Sequence, residues 1–403
     1  MADSPRFSQR FSYEGLFAKN SQATTTSLAG RVKYDFAVAY PDPETLPLDG
    51  LVDALKTALD REGKDLAYYP MATGLPALRE LVAEKLTRDR AMRVTPDDVA
   101  LTSGSGEAIG MLIQALTDPG DVALTEEYVY LGTLRQLRRF GADVVSVKCD
   151  GQGILPQELE ATLSRLLAQG KKVKYLYTIP VFQNPLGWTM TLERRLQVLE
   201  VTRKYGVPVF EDECYVDLRF EGEDVSTFHS LDDTGQVMYV GSFSKIIAPG
   251  MRMGYLVAPP EVVERAMSFK AGGGVNQFAA LAIEEYLKRD MYRHIDEQNR
   301  SLQIKRDAML ASLGEHFGGA ATWHKPDGGL YVWLEMPEGT DLAAIQGQVL
   351  EEGVSYYNGT MFSPEGRGAN CARLCFGHPS PETIYDGVAE LARILERHGV
   401  LGG

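Results

Sequence analysis

From about residue 98 onward, short β-prone runs alternate with longer amphipathic stretches. The runs are Val99–Thr102, Val122–Thr125, Val144–Val147, Lys174–Ile179, Val209–Glu211, Val237–Val240 and Gly254–Ala258. Segments such as Leu192–Tyr205 separate most of them. Strands and helices alternating at this length predict an α/β fold with a mainly parallel, doubly wound sheet. Ligands of such sheets gather at the carboxyl ends of the strands. Ahead of this region, residues 1–33 are polar and Ser/Thr-rich, with weak helical patterning over Phe7–Ala18. A Pro-rich stretch (Pro41, Pro43, Pro47) leads into a helix over Leu51–Arg61. Tyr68-Tyr69-Pro70-Met71-Ala72-Thr73-Gly74 reads as a loop. It opens a helix in which Leu78, Leu81, Val82 and Leu86 recur at helical spacing.

The rhythm changes near residue 282, where a long helical stretch runs to about Leu313. A smaller α+β unit follows, with a strand over Gly329–Glu335, a helix over Leu342–Glu352 and a strand over Ala372–Phe376. The last helix starts at Ser380-Pro381, a cap residue followed by proline at the first helical position.

At 403 residues the chain has room for two domains. Its net charge of −14 argues against general affinity for nucleic acid or an anionic membrane. Four cysteines (Cys149, Cys214, Cys371, Cys375) make no disulfide framework and fit a reducing compartment. No apolar stretch has the length of a signal peptide or a membrane span, so the cytoplasm is the expected address.

Four segments at strand ends carry candidate chemistry. In Gly241-Ser242-Phe243-Ser244-Lys245, followed by Arg252, two hydroxyls and two cations converge just past Val237–Val240. The hydroxyls and the guanidinium suit a phosphate monoester, and the lysine can act as an amine nucleophile toward an aldehyde. A solvated basic loop is the alternative. Thr102-Ser103-Gly104-Ser105-Gly106-Glu107 opens a helix with small residues, whose free N–H groups can cradle an anion or simply form a turn. Phe210-Glu211-Asp212-Glu213-Cys214-Tyr215 clusters carboxylates with no histidine nearby, which makes a metal site a poor reading. Gln183-Asn184-Pro185-Leu186-Gly187 is a turn signal in its own right.

In order, spacing and placement, these segments resemble the fold-type-I pyridoxal-phosphate (PLP) enzymes of the class I/II aminotransferases. Within them the sequence looks most like the branch of 2-aminoadipate and kynurenine aminotransferases and MocR effector domains. The resemblance runs from about residue 30 to the C-terminus. It implies an aspartate-aminotransferase-like fold, a large domain with a mainly parallel seven-stranded sheet plus a smaller α+β domain. Residues 46–290 would form the large PLP-binding domain, 291–403 the small one, and 1–45 a segment joining the small domain.

The resemblance further implies that Lys245 carries PLP as a Schiff base and shuttles the substrate proton, while Asp212 keeps the pyridine nitrogen protonated. Asn184 and Tyr215 would hydrogen-bond the phenolic oxygen, Tyr130 would stack on one ring face, and Cys214 would lie against the other. Ser105, the Gly106 amide, Ser242, Ser244 and Arg252 would hold the phosphate, joined by Tyr68 from the partner of a homodimer. Arg373 would grip the substrate α-carboxylate.

Three departures from the pattern bear on substrate. The loop usually reading Gly-Gly-Leu-Pro is Val38-Ala39-Tyr40-Pro41, which makes Ala39 and Tyr40 substrate-side candidates. Glu107 follows Gly106 where glutamines are usual, and must point away from a phosphate. Gly272-Gly273-Gly274 precedes Asn276-Gln277. The side-chain pocket is expected within residues 10–40 and 270–277, with Arg31 a further candidate. The spacing of Cys371, Cys375 and His378 reads as a strand with same-face cysteines rather than a metal site, so no metal is expected. The expected activity is transfer of an amino group between an L-amino acid and a 2-oxo acid. The alternative is PLP-dependent elimination, substitution, cyclisation or C–C bond formation on the same scaffold. A sensing domain without turnover is a third reading, disfavoured by the lack of room for a DNA-binding module.

Overall fold

A computed structural model describes residues 12–17 and 32–401. The chain divides into two compact units, Met1–Arg31 and Val32–Gly403. Of the first, residues 12–17 form a turn in which the Leu16 N–H donates to the Tyr13 carbonyl at 3.0 Å. The rest of the Phe7–Ala18 patterning lies outside the described residues.

All seven strands expected between residues 98 and 258 form in the second unit, and they share one sheet. Its order is Val99–Thr102, Gly254–Val257, Val237–Ser242, Val209–Asp212, Val173–Thr178, Val122–Glu126, Asp143–Val147. Gly254–Val257 runs antiparallel to both neighbours and every other pair is parallel. Successive strand residues point to opposite faces, which is why the runs are apolar without alternation. Ala123, Tyr175, Tyr177 and Phe210 enter one core with Ile109, Leu112, Leu78 and Ile283. Val122, Leu124, Leu176 and Val209 enter a second core with Leu159, Leu163, Val198 and Leu199. Both faces are thereby covered, and the strand ends are left to chemistry.

Beyond this sheet, Thr322–Trp323, Tyr331–Glu335, Cys371–Cys375 and Tyr357–Asn358 form a four-stranded antiparallel sheet. Tyr34–Asp35 pairs in parallel with Val354–Ser355 as a separate two-stranded sheet. The long helix is Gln277–His316, 40 residues or roughly 60 Å at 1.5 Å per residue. It starts earlier than its apolar pattern predicts because the Asn276 side chain caps it, accepting from the Ala279 N–H at 3.0 Å. It packs against both Leu48–Glu62 and Pro381–Arg397, and residue 290 falls inside it. The hairpin of Cys149–Asp150 with Gly153–Ile154 was not expected; two residues per strand carry no readable period.

Candidate active site

The carboxyl ends of the large sheet open into a cavity of about 370 Å³. At one end, Gly104 precedes the helix Ser105–Leu116 with φ 83° and offers no capping side chain. The first-turn N–H groups therefore face outward, where a helix N-terminus favours an anion. A Cβ on Gly104 would lie 2.6 Å from the Arg252 Nη2 atom, so only glycine lets that guanidinium approach. Arg252 donates to the Ser103 carbonyl at 3.0 Å and forms no ion pair among the described residues. Ser105, Gly106, Ser242 and Ser244 line the same end. Glu107 turns away, its carboxylate accepting from the Ser103 N–H at 2.6 Å.

Asp212 is the last residue of its strand and is buried. It accepts from the Tyr177 hydroxyl at 2.6 Å and the Cys214 N–H at 3.3 Å, with no cationic partner among the described residues. Burial pushes its carboxyl up, against the hydrogen bonds from Cys214 and Tyr177. The residues that follow are anchored by Glu213, which is buried and bound by the Arg90 guanidinium at 2.9 Å and by Arg195 at 3.4 Å. Lys245 donates to the Ala39 carbonyl at 2.7 Å. Burial lowers its ammonium pKa; Arg373 and Arg252 add to that effect, while the Cys375 and Cys214 thiols oppose it.

At the other end lies Arg373, in the middle of its strand and buried. Its Nη1 donates to the Asn184 Oδ1 at 2.9 Å and its Nη2 donates to the Ala37 carbonyl. Among the described residues its Nε has no hydrogen-bond partner and no carboxylate pairs with it. The rings of Tyr331, Tyr357 and Phe362 surround the guanidinium at 4.5, 5.1 and 5.1 Å. The Asn184 Nδ2 donates to the Tyr215 hydroxyl at 2.9 Å and to that of Tyr331 at 3.2 Å. Tyr130 lines the wall between the two ends, its ring lying over Gly132, where a Cβ would come within 2.5 Å of it.

The sequence profile of the family described as aminotransferase class I and II matches residues 39–391. The chain belongs to that family. This aminotransferase is 32% identical over 359 residues to aromatic-amino-acid aminotransferase 1 of Thermococcus litoralis, covering 88% of this chain and 86% of the relative. Its fold matches the Pyrococcus horikoshii kynurenine aminotransferase, solved in complex with PMP, at a TM-score of 0.90 and 30% identity, covering 96% and 98% of the two chains. It also matches the alpha-aminoadipate aminotransferase of Thermus thermophilus, complexed with N-(5'-phosphopyridoxyl)-L-leucine. There the TM-score is 0.88 at 29% identity, with 97% and 99% of the chains covered. The cofactor of this aminotransferase is pyridoxal phosphate, and its reaction is PLP-dependent amino-group transfer between amino acids and 2-oxo acids.

The donor set suits that cofactor. A buried carboxylate without a cation, Asp212, matches a protonated ring nitrogen. Three serine hydroxyls, a helix N-terminus and the unpaired Arg252 match a phosphate. The orphaned Arg373 Nε matches a carboxylate supplied by substrate.

Most of the residues singled out from sequence line this one cavity: Ser105, Gly106, Tyr130, Asp212, Cys214, Tyr215, Ser242, Ser244, Lys245, Arg252, Arg373 and Ala39. Asn184 is joined to it through Arg373 and Tyr215. Two do not line it. Tyr68 is 76% exposed and borders a separate depression with Tyr69, Met71 and Gln277. Tyr40 sets its ring edge-on to His378 at 5.7 Å, and it is Val38 and Ala39 that face the cavity. Gly274 runs beside Pro70 and Met71, so the triple glycine also belongs with the Tyr68 loop. Arg31 lies outside the described residues. Among the described residues, no three His, Cys, Asp or Glu side chains gather as metal ligands, and no helix is long and apolar enough to cross a membrane. Tyr331, Tyr357, Phe362 and Arg135 line the cavity without having been anticipated.

Glu126 was also missed. It ends its strand, wholly buried, and accepts from Thr178 Oγ1 at 2.6 Å, the Ile179 N–H at 3.3 Å and Gln183 Nε2 at 2.9 Å. Gln183 Nε2 reaches on to the Tyr128 carbonyl at 2.7 Å, so this carboxylate clamps the Asn184 turn to the segment carrying Tyr130. Burial pushes the Glu126 carboxyl from 4.5 up to about 8. Through that window the folded chain holds a proton that the unfolded chain has released, so stability falls as pH rises. Glu126→Gln removes this dependence. The melting temperature of the variant relative to wild type is expected to rise between about pH 6 and about pH 9. Parallel melting curves across that range would contradict it.

Proposed function

We propose that this aminotransferase carries its cofactor on Lys245 Nζ and binds the α-carboxylate of both amino acid and 2-oxo acid through Arg373. The observation that carries this reading is one cavity holding an amine and a buried guanidinium, each donating only to main-chain carbonyls or Asn184. Among the described residues neither has an acidic partner, so each is available to substrate or cofactor. When bound, PLP supplies a conjugated cationic ring that accepts the electrons left by a broken Cα–H bond. Asp212 holds the proton of the ring nitrogen, and its burial strengthens that pairing. Ser105, Gly106, Ser242, Ser244 and Arg252, which line one end of the cavity, would hold the phosphate, and Tyr130 and Cys214 would flank the ring. Asn184 and Tyr215, hydrogen-bonded to each other, would face the phenolic oxygen. The Lys245 amine, its pKa lowered, takes the Cα proton at Nζ and returns it across the cavity.

The exposed Tyr68 loop supports a homodimer in which Tyr68 of a second copy reaches the phosphate. On this reading residues 46–290 and 291–403 act as two domains joined through the long helix. A cytoplasmic address fits the cysteine usage. The test is a panel of L-amino acids with 2-oxoglutarate, followed by mass spectrometry of products. One equivalent of L-glutamate per 2-oxo acid formed is expected for at least one donor. Release of ammonia without glutamate would contradict the reading.

A further inference from the structure

We propose that Tyr331 is a positioning residue whose hydroxyl donates to Tyr215 and thereby leaves the Tyr215 proton free to meet the cofactor's phenolic oxygen. This rests on the reading that Tyr215 and Asn184 face that oxygen. The argument is a count of protons. The Asn184 Oδ1 accepts from Arg373 at 2.9 Å, which fixes the amide with its nitrogen toward the two phenols. Its Nδ2 lies 2.9 Å from the Tyr215 hydroxyl and 3.2 Å from the Tyr331 hydroxyl, which are themselves only 2.8 Å apart, so one N–H is shared between them and the other is left for the cofactor's phenolic oxygen.

One further hydrogen lies in the 2.8 Å contact between the two hydroxyls. If Tyr215 gave it, the Tyr331 proton would have no acceptor among the described residues, and Tyr331 is fully buried, at 0% exposure. An unmet buried donor is costly, whereas Tyr215 retains 7% exposure on the cavity wall. Donation from Tyr331 fills both acceptor positions of the Tyr215 oxygen and directs the one proton left toward the cavity. A hydroxyl that accepts two hydrogen bonds is also a stronger donor. An anionic phenolic oxygen is stabilised by that donor, which lowers the pKa of the bound cofactor. The Tyr331 ring has a separate task beneath Arg373 at 4.5 Å.

Tyr331→Phe keeps the ring and removes only the hydroxyl. The readout is the pH titration of the visible absorption of the cofactor-loaded protein, with kcat and KM measured alongside. Tyr331→Phe is expected to raise the spectral pKa by about 0.5–1 unit, to lower kcat, and to leave the KM for the amino acid unchanged. Tyr215→Phe is expected to raise the same pKa, and adding Tyr331→Phe to it to change nothing further, because Tyr331 acts through Tyr215. A wild-type titration in Tyr331→Phe, with Tyr215→Phe shifted, would overturn the inference and leave the site reading standing. Additive shifts in the double variant would overturn it as well. No shift in either single variant would overturn the placement of Tyr215 itself.

Discussion

Lys245→Ala is expected to fold as the wild type does and to lose amino-group transfer, with kcat down by about 10⁴-fold, the upper end of what one positioned proton-transfer group supplies. The structure explains why folding is spared. Lys245 has no carboxylate partner; its hydrogen-bond partner is the Ala39 carbonyl. Removing it leaves no buried charge unpaired, and it lifts the desolvation that already lowers its pKa. The cofactor-free variant should therefore melt no lower than cofactor-free wild type. Activity is not spared, since no other amine lines the cavity among the described residues. Added small primary amines are expected to restore part of the rate. A Lys245→Ala protein with wild-type turnover would sink the assignment.

Arg373→Ala is expected to lower kcat/KM by about 10²–10³-fold, because leaving one partner of a buried charge pair alone costs about 2–5 kcal/mol. The guanidinium is 3% exposed and held in place by neutral oxygens of Asn184 and Ala37. Three rings exclude water around it, which strengthens an incoming carboxylate's attraction. Arg373→Lys keeps the charge but loses the planar fork, so it should recover only part of the loss. The discriminating measurement compares an amino acid with the amine that lacks its carboxylate. The preference between them should narrow by the same factor as kcat/KM falls, while the cofactor stays bound. An unchanged preference would place the carboxylate elsewhere, with Arg135 the next cation on the cavity wall.

The large sheet was legible because its strands are apolar on both faces and bounded by turns, so period and burial point the same way. The chemistry at its edge was legible for a related reason. Ser105, Asp212 and Lys245 lie within motif segments at strand ends, and a parallel sheet brings such ends together. The wall opposite was not. Tyr331, Tyr357 and Phe362 come from the small sheet and its margin, where an aromatic residue reads as core whether it faces a core or a cavity. Glu126 was hidden at the end of an apolar run, since the pair Glu126-Glu127 there looks like the start of a solvated turn. Tyr40 and the triple glycine were singled out by sequence position alone. In space, Tyr40 belongs to His378 and the triple glycine to the Tyr68 loop.

The central claim is that the cofactor sits on Lys245. Borohydride reduction of the loaded protein, followed by digestion and mass spectrometry, tests it most directly. The account predicts one pyridoxyl group, on the peptide containing Lys245. Among the described residues two other lysines have pKa values lowered by burial, Lys270 on the Ala72 and Leu101 carbonyls and Lys305 beside Asp42. A pyridoxyl group on either of them, with Lys245 unmodified, would contradict it.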